Sequence, residues 1–202
     1  QITTPDSGFV LSTNQSPFAI SATGSNPDPA IVAADGGWQT RMTNRAVRGL
    51  ALFAAHDTVS EQQLLDIKHD HTYDENYRGM DFLREVAALQ LTDPQMQEAQ
   101  RVLIEWDRAT DKGNQNAPLG VCILAAEWLS ESGGTPVPDA EATLQDCVEQ
   151  IVTMTGRLRP TWGEVNRHGR GDTHYAMAGG PDTLRAAYAA PSQEDKTFNR
   201  VT

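Results

Sequence analysis

The sequence predicts a mainly α-helical protein in which five to six helices are flanked by irregular segments. Apolar residues recur with helical spacing from about residue 38 to about residue 155. Capping residues precede several of these runs, whereas glycine and proline cluster towards both ends of the chain. These patterns predict three parts: a strand and loop segment over 1–37, a helical domain over 38–167, and a glycine-rich return segment with a polar tail over 168–202.

Composition and charge limit the classes of partner. The chain has 202 residues, of which 39% are hydrophobic, and its formal net charge is −11. This length is sufficient to bury a hydrophobic core. The acidic balance disfavours nucleic acid and anionic membranes as partners, because phosphate groups bind basic surfaces. No apolar run approaches the roughly 18 residues that a membrane-spanning helix needs.

The first long helix is predicted over residues 38–54, after the irregular first segment. Arg41, Arg45 and Arg48 have the spacing i, i+4 and i+7, which places them on one face of this helix. A basic stripe of this kind is most often a solvated surface, but it also suits a site that needs a guanidinium group. The sequence leaves both interpretations open.

Further helices are predicted to follow, several with clear start signals. Ser60 with Gln63 forms a capping box, and Asp93 and Asp139 are N-cap residues. The predicted ranges are 60–68, 77–90, 94–109, 119–131 and 140–155, with one short helix over 161–167. Upstream of all of them, residues 8–12 are predicted as a short strand.

The two cysteines are interpreted as buried thiols. Cys122 and Cys147 each fall in a predicted helix among apolar residues. Two cysteines are too few for a disulfide framework or a zinc site. We therefore expect free thiols, while a single bridge remains the alternative in an oxidising compartment.

Two groups of polar residues are weak candidates for chemistry. The cluster of His69, Asp70, His71 and Asp74 is interpreted as a polar turn at a helix end, because histidines at i and i+2 do not share a helix face and no third-ligand motif is near. A second group, in the glycine-rich segment, comprises His168, Asp172 and His174. It lacks a nucleophile in a recognisable setting, so a self-contained catalytic triad is not predicted.

Asn14 and Arg41 are the candidate site residues. Asn14 lies in a polar turn just after the predicted strand, where its amide would be able to donate to a developing oxyanion. The alternative for an Asn in a turn is an Asx-turn, in which the side chain bonds its own backbone. Arg41 would orient groups around a reaction centre.

Four stretches of the sequence carry a resemblance to a known family. They are residues 7–17, with Asn14 three places before Pro17, and residues 40–45, 158–167 and 179–186. In this order the four stretches resemble motifs of the penicillin acylase family of amide hydrolases. The last two resemble most closely the acyl-homoserine-lactone acylases within that family.

The resemblance implies a fold, a reaction and partners. The flanking segments would belong to an αββα core, and the nucleophile would be an N-terminal Ser whose α-amine acts as the base. Asn14 would match the oxyanion-hole donor, and Arg41 the arginine that gives electrostatic support. The substrate would be a small acyl amide, of the acyl-homoserine-lactone or β-lactam type, and the location periplasmic or secreted.

The chain departs from the family pattern at its first residue. It begins with Gln1, which has no nucleophilic oxygen or sulfur. We therefore expect an internal part of the large catalytic subunit, inactive alone. Its partners would be the rest of an autoprocessed precursor, namely the small subunit and the nucleophile-bearing segment. Some family members bind structural calcium near this region, but neither Asp28 nor Asp35 aligns with that ligand, so no cofactor or metal is predicted.

Two other functions remain alternatives. One is a free-standing helical binding module without catalysis, which the self-consistent set of capped helices and the absence of a complete catalytic constellation favour. The other is a metal-dependent hydrolase built on His69 and His71, which has less support.

Overall fold

The computed structural model describes residues 4–33, 35–38, 40–170, 172–186 and 200–201. Within these ranges the protein has seven α-helices, one short 3₁₀ helix and three short strands, which confirms the predicted mainly α fold class. Most of the predicted polar tail falls on residues outside the described ranges. None of the described helices is long and apolar enough to cross a membrane.

The chain forms two compact units. Unit 1 consists of Gln1–Tyr77 and Asp182–Arg185, and unit 2 consists of Arg78–Pro181 and Ala186–Thr202. Unit 1 is therefore built from two stretches that are far apart in sequence. The boundaries that the sequence suggests at residues 37 and 167 stay a prediction.

The described part of unit 1 contains two α-helices. They are α1 (Asn44–Ala54) and α2 (Glu61–Lys68), and a 3₁₀ turn over Pro29–Ile31 precedes them. The capping box of α2 is confirmed, because Ser60 and Gln63 each accept a hydrogen bond from the backbone N–H of the other. Apolar packing joins α1 to the first segment, where the rings of Phe9 and Phe53 lie 5.1 Å apart.

Helix α1 begins later than the sequence predicts. Thr43 is extended and its hydroxyl accepts a hydrogen bond from the N–H of Ala46, so Thr43 is the N-cap. Arg41 thus precedes the helix, while Arg45 and Arg48 lie on it. The prediction that the three arginines share one helical face is wrong, because Thr43 supplies a cap after the first of them.

The strand predicted over residues 8–12 is absent from the described structure. The N–H of Gly8 bonds back to the carbonyl of Pro5, which makes a turn, and the N–H of Leu11 donates to the carbonyl of Ile20. Neither bond continues into a ladder, so this extended segment lacks the repeated pairing that defines a strand.

In unit 2, the residues that the structure describes form five helices and a small sheet. The helices are α3 (Gly79–Ala87), α4 (Pro94–Ile104), α5 (Ala117–Gly133), α6 (Ala140–Thr155) and α7 (Trp162–Val165). Strand β1 (Arg167–Arg170) pairs antiparallel with β2 (Thr173–Ala176) and parallel with β3 (Arg200–Val201). Helix α5 packs against α3, α4, α6 and α7, and its first two turns are buried, so α5 is the centre of this unit.

Helix α4 ends earlier than predicted. It stops at Ile104 rather than near residue 109, and Trp106, expected on the helical stripe, is buried beyond the helix end. The indole N–H of Trp106 donates to the carbonyl of Ala109, and Arg108 adopts a φ of 68°. A residue with positive φ cannot continue a right-handed helix, so the helix cannot extend to residue 109 as predicted.

A disulfide bond joins α5 to α6. Cys122 and Cys147 are both buried, as expected, but their sulfur atoms are bonded, so the prediction of free thiols is wrong. The packing of α5 against α6 brings the two Cα atoms to 5.9 Å, within the range for a bridge. The two cysteines are 25 residues apart in sequence, and this separation does not indicate that they are close in the fold.

The disulfide is expected to stabilise unit 2 by constraining the unfolded chain. For a closed loop of this length, the constraint is worth about 3 kcal/mol. Replacing both Cys122 and Cys147 by Ala should lower the free energy of unfolding by that amount, measured by urea titration. A reducing agent should destabilise the wild type similarly and leave the double variant unchanged. Equal stability of the wild type with and without reductant would contradict this expectation.

The approach of Gly120 to Trp106 gives a second prediction. A Cβ atom added at Gly120 would lie 2.1 Å from Cε3 of the Trp106 ring. Gly→Ala inside a helix normally gains about 0.5–1 kcal/mol, but overpacking a core costs about 1–3 kcal/mol. Gly120→Ala should therefore destabilise the protein, seen as a lower urea midpoint and a changed tryptophan emission.

Gly113→Ala is the matched control, because nothing lies within 4 Å of a Cβ added there. Its stability should stay within about 0.5 kcal/mol of the wild type. A Gly120→Ala variant as stable as this control would show that Trp106 moves without cost.

Candidate functional site

The segments that carry Asn14 and Arg41 lie side by side in unit 1. The N–H of Ser16 donates to the carbonyl of Arg41 over 3.2 Å, and the hydroxyl of Thr43 donates to the carbonyl of Thr13 over 3.5 Å. Ser16 is buried at this junction. The structure thus brings together the two stretches that the sequence identifies, although a long irregular loop separates them along the chain.

Asn14 occupies an unusual backbone conformation. Its φ is 65°, in the left-handed region that Asn tolerates better than most residues, and its side chain is exposed. Gln15 organises the turn instead: its Oε1 accepts from the N–H of Thr13, and its Nε2 donates to the carbonyl of Leu11. No hydrogen bond to the Asn14 amide occurs within the described residues, so an Asx-turn does not explain this residue.

Arg41 lies in a partly buried, non-helical stretch that leads into α1. Its carbonyl accepts the hydrogen bond from Ser16, which fixes its backbone beside the Asn14 turn. The roles of Asn14 as oxyanion donor and of Arg41 as electrostatic support stay predictions.

Asn44, the first residue of α1, joins three stretches of unit 1. It is fully buried, and its side-chain Nδ2 donates to the carbonyls of Asp182 (2.9 Å) and Thr72 (3.4 Å). Its Oδ1 accepts from the N–H of Asp74 at 2.8 Å. The donors and acceptor of one amide therefore fasten the chain near residue 73 and near residue 182 to the start of α1.

The carboxylate of Asp182 binds the same helix end. Its Oδ2 accepts from the backbone N–H of Asn44 at 2.6 Å, and its Oδ1 accepts from Nε of Arg45 at 3.1 Å. The Asp182 side chain is only 12% exposed. Burial raises the pKa of this carboxyl, against the opposing hydrogen bonds from Asn44 and Arg45. Asp182 and its partner Asn44 each lie in one of the four stretches that carry the family resemblance, but the sequence identifies neither as a site residue.

Arg48 makes a structural ion pair one turn further along α1. Its Nε and Nη2 donate to the two carboxylate oxygens of Asp70 at 3.2 and 2.9 Å. This side-chain hydrogen bonding with Asp70 raises the pKa of Arg48, and Asp74 adds a weaker attraction. Arg48 therefore serves to fix the chain after α2 against α1.

The histidine clusters have ordinary local roles. Nδ1 of His69 lies 2.8 Å from the carbonyl of Leu65, and Nδ1 of His71 lies 3.0 Å from the carbonyl of His69. In unit 2, His168 and His174 lie on the antiparallel pair β1 and β2. Among the described residues, no group of three or more His, Cys, Asp or Glu side chains is arranged to hold a metal ion.

Comparison with known proteins assigns the chain to a family. The sequence matches the penicillin amidase family over residues 1–200, which is nearly its whole length. No curated protein matches it. The matched range includes the two hydrogen-bonded segments that carry Asn14 and Arg41 as well as the stretch that carries Asp182. The chain therefore belongs to the penicillin amidase family of amide hydrolases.

Proposed function

We propose that this chain is part of an amide hydrolase that cleaves an acyl chain from an amide through an acyl-enzyme. In this proposal the side-chain amide of Asn14 donates to the oxyanion, and Arg41 supplies positive charge beside the reaction centre. The rest of the machinery comes from the same autoprocessed precursor.

The observation that carries the proposal is the direct hydrogen bonding between the Asn14 turn and the stretch of Arg41. The Asn14 amide is exposed, so a substrate carbonyl is able to reach it. The backbone of the turn is held by Gln15 and Ser16, which leaves the Asn14 amide available for a ligand. A backbone that is fixed in advance limits how far this donor must reorient to stabilise a transition state.

The nucleophile in this proposal is an N-terminal Ser on a part of the precursor outside these 202 residues. Its α-amine takes the hydroxyl proton while the oxygen attacks the amide carbon. The tetrahedral oxyanion then accepts a hydrogen bond from Asn14. The C–N bond breaks as the ammonium returns its proton to the leaving amine, and water hydrolyses the resulting ester by the same route. Without that Ser, the chain alone should be inactive.

The substrate class and the location follow from two further features. Residues 158–167 and 179–186 resemble the acyl-homoserine-lactone branch, which favours an N-acyl-homoserine lactone over a β-lactam. The bond between Cys122 and Cys147 supports a periplasmic or secreted enzyme, because cytosolic thiols are normally kept reduced.

Removing the Asn14 amide tests the proposed role directly. Asn14→Gly keeps the left-handed backbone accessible, since glycine adopts positive φ without strain. In the precursor expressed from its complete reading frame, this change should lower kcat by about 10²–10³ with little change in KM. The measurement is amine release from N-acyl-homoserine lactones of graded chain length and from a penicillin.

Thr23→Ala is the matched control, because Thr23 is an exposed polar residue of the same first segment. Its kcat should equal that of the wild type. An Asn14→Gly enzyme with wild-type kcat would refute the oxyanion role, and an inactive wild-type precursor on all these substrates would leave the binding-module function as the better account.

A contrast between two arginines separates chemistry from stability. Arg41→Gln should lower kcat by at least about tenfold, because the positive charge beside the reaction centre is lost. Arg48→Gln should instead lower the free energy of unfolding by about 1–3 kcal/mol, because the carboxylate of Asp70 loses its charged partner. Steady-state kinetics and urea titration of both variants provide the comparison. The same profile for both variants would argue against separate roles.

A further inference from the structure

We propose that Asp182 is a positioning residue for the site of Asn14 and Arg41, acting through the first turn of α1. The inference rests on the proposed function, since it assigns a role to a residue that supports that site. Asp182 lies far along the chain from Asn44 and Arg45, the residues that its carboxylate binds.

The first step is the bonding between the carboxylate and the helix. The backbone N–H of Asn44, in the first turn of α1, has no acceptor within the helix. Oδ2 of Asp182 accepts this N–H at 2.6 Å from a position 138 residues away in sequence. Oδ1 accepts from the side chain of Arg45 in the same turn. A negative charge is also favoured at this end of a helix.

The second step leads from the helix to the site. Thr43 directly precedes Asn44, and its hydroxyl donates to the carbonyl of Thr13, next to Asn14. Two residues before Thr43, the carbonyl of Arg41 accepts from the N–H of Ser16. A shift of the first turn of α1 would therefore move Arg41 and the Asn14 turn together.

The third step is that Asp182 itself is fixed. Its carbonyl accepts from the amide of Asn44, and Thr183 is fully buried. Leu184 packs near Gly49 of α1, where an added Cβ would lie 3.5 Å from its Cδ2 atom. The N–H of Arg185 donates to the carbonyl of Asp70 at 2.8 Å. These contacts fix the segment that carries the Asp182 carboxylate.

Capping alone does not account for this arrangement. Helix α1 already has a side-chain cap in Thr43, which accepts from the N–H of Ala46. Burying a second acceptor with a full charge costs desolvation free energy, which a surface cap would avoid. The φ of Asp182 is 58°, in the left-handed region, which Asp tolerates better than most L-residues. The desolvation cost is consistent with a residue that is placed for its geometry.

The test removes the carboxylate without straining the backbone. Asp182→Gly tolerates the positive φ and deletes a group with the shape of acetate. In the full precursor it should lower kcat by at least about tenfold with a smaller change in KM, since small misplacements of catalytic groups reduce the rate strongly. Added acetate should restore part of kcat, whereas chloride at equal ionic strength should not.

Two further variants separate positioning from stability. Asp93→Ala removes the Asp cap of α4 in unit 2 and should leave kcat unchanged while lowering stability. Asp182→Asn keeps the side-chain shape and should give an intermediate kcat. The double variant Asn14→Gly, Asp182→Asn should have a kcat only slightly below that of Asn14→Gly alone, because both residues act on one site. If the two residues acted independently, their effects on kcat would multiply.

The outcomes are distinguishable. If Asn14→Gly keeps wild-type kcat, the proposed function fails whatever Asp182 does. If Asn14→Gly loses activity but folded Asp182→Gly or Asp182→Asn keeps it, the positioning role is overturned. Loss of folding in both Asp182 variants would assign the residue to stability, and multiplicative effects on kcat with Asn14→Gly would show that it acts independently of Asn14. Either result would overturn the inference.

Discussion

Unit 1 depends on the polar contacts at the first turn of α1. The amide of Asn44 is completely buried and bonded to two stretches of chain, one at residues 72–74 and one at Asp182. Leaving one such buried partner unsatisfied costs about 1–3 kcal/mol, so the positions of both stretches depend on one side chain. The stretch of Arg41 and the turn of Asn14 are attached to this same helix end through Thr43. The position of the candidate site is therefore a consequence of how α1 begins.

Arg48, which lies on α1, and Asp182, which binds the first turn of α1, have opposite consequences for stability. Strong hydrogen bonding with Asp70 raises the pKa of Arg48, which indicates a pair that favours the charged form. Burial instead raises the pKa of Asp182, despite the bonds from Asn44 and Arg45. The folded state then retains the Asp182 proton more readily than the unfolded state, so the protonated group stabilises the fold in acid. This stabilisation is lost as the pH rises through the pKa of Asp182 in the folded state. At neutral pH the charged, buried carboxylate of Asp182 holds the first turn of α1 in position and lowers the stability of the folded state.

Sequence reasoning succeeded where the signals are local. Ser60, Asp93 and Asp139 each cap a helix where predicted, because a cap depends only on residues within one turn. It failed at the start of α1, where the arginine spacing outweighed the cap at Thr43. The bond of Cys122 to Cys147 and the pairing of Asn44 with Asp182 depend on tertiary packing, which no periodicity in the chain encodes. The family motifs did mark Asn14, Arg41 and the stretch of Asp182, but only the fold shows that all three converge on one helix end.

Backbone conformation adds an independent reason to treat that helix end as functional. Within the described residues, only three residues other than glycine have positive φ, namely Asn14, Arg108 and Asp182. Arg108 lies in unit 2, in the loop that follows α4. The other two flank the first turn of α1, one in the turn that would donate to the oxyanion and one in the carboxylate that binds the helix. Left-handed residues cost little for Asn and Asp but persist only where the surroundings demand them. Glycine would adopt the same backbone at either position but lacks the side chain, and at position 182 that side chain binds the N–H of Asn44 and the guanidinium of Arg45.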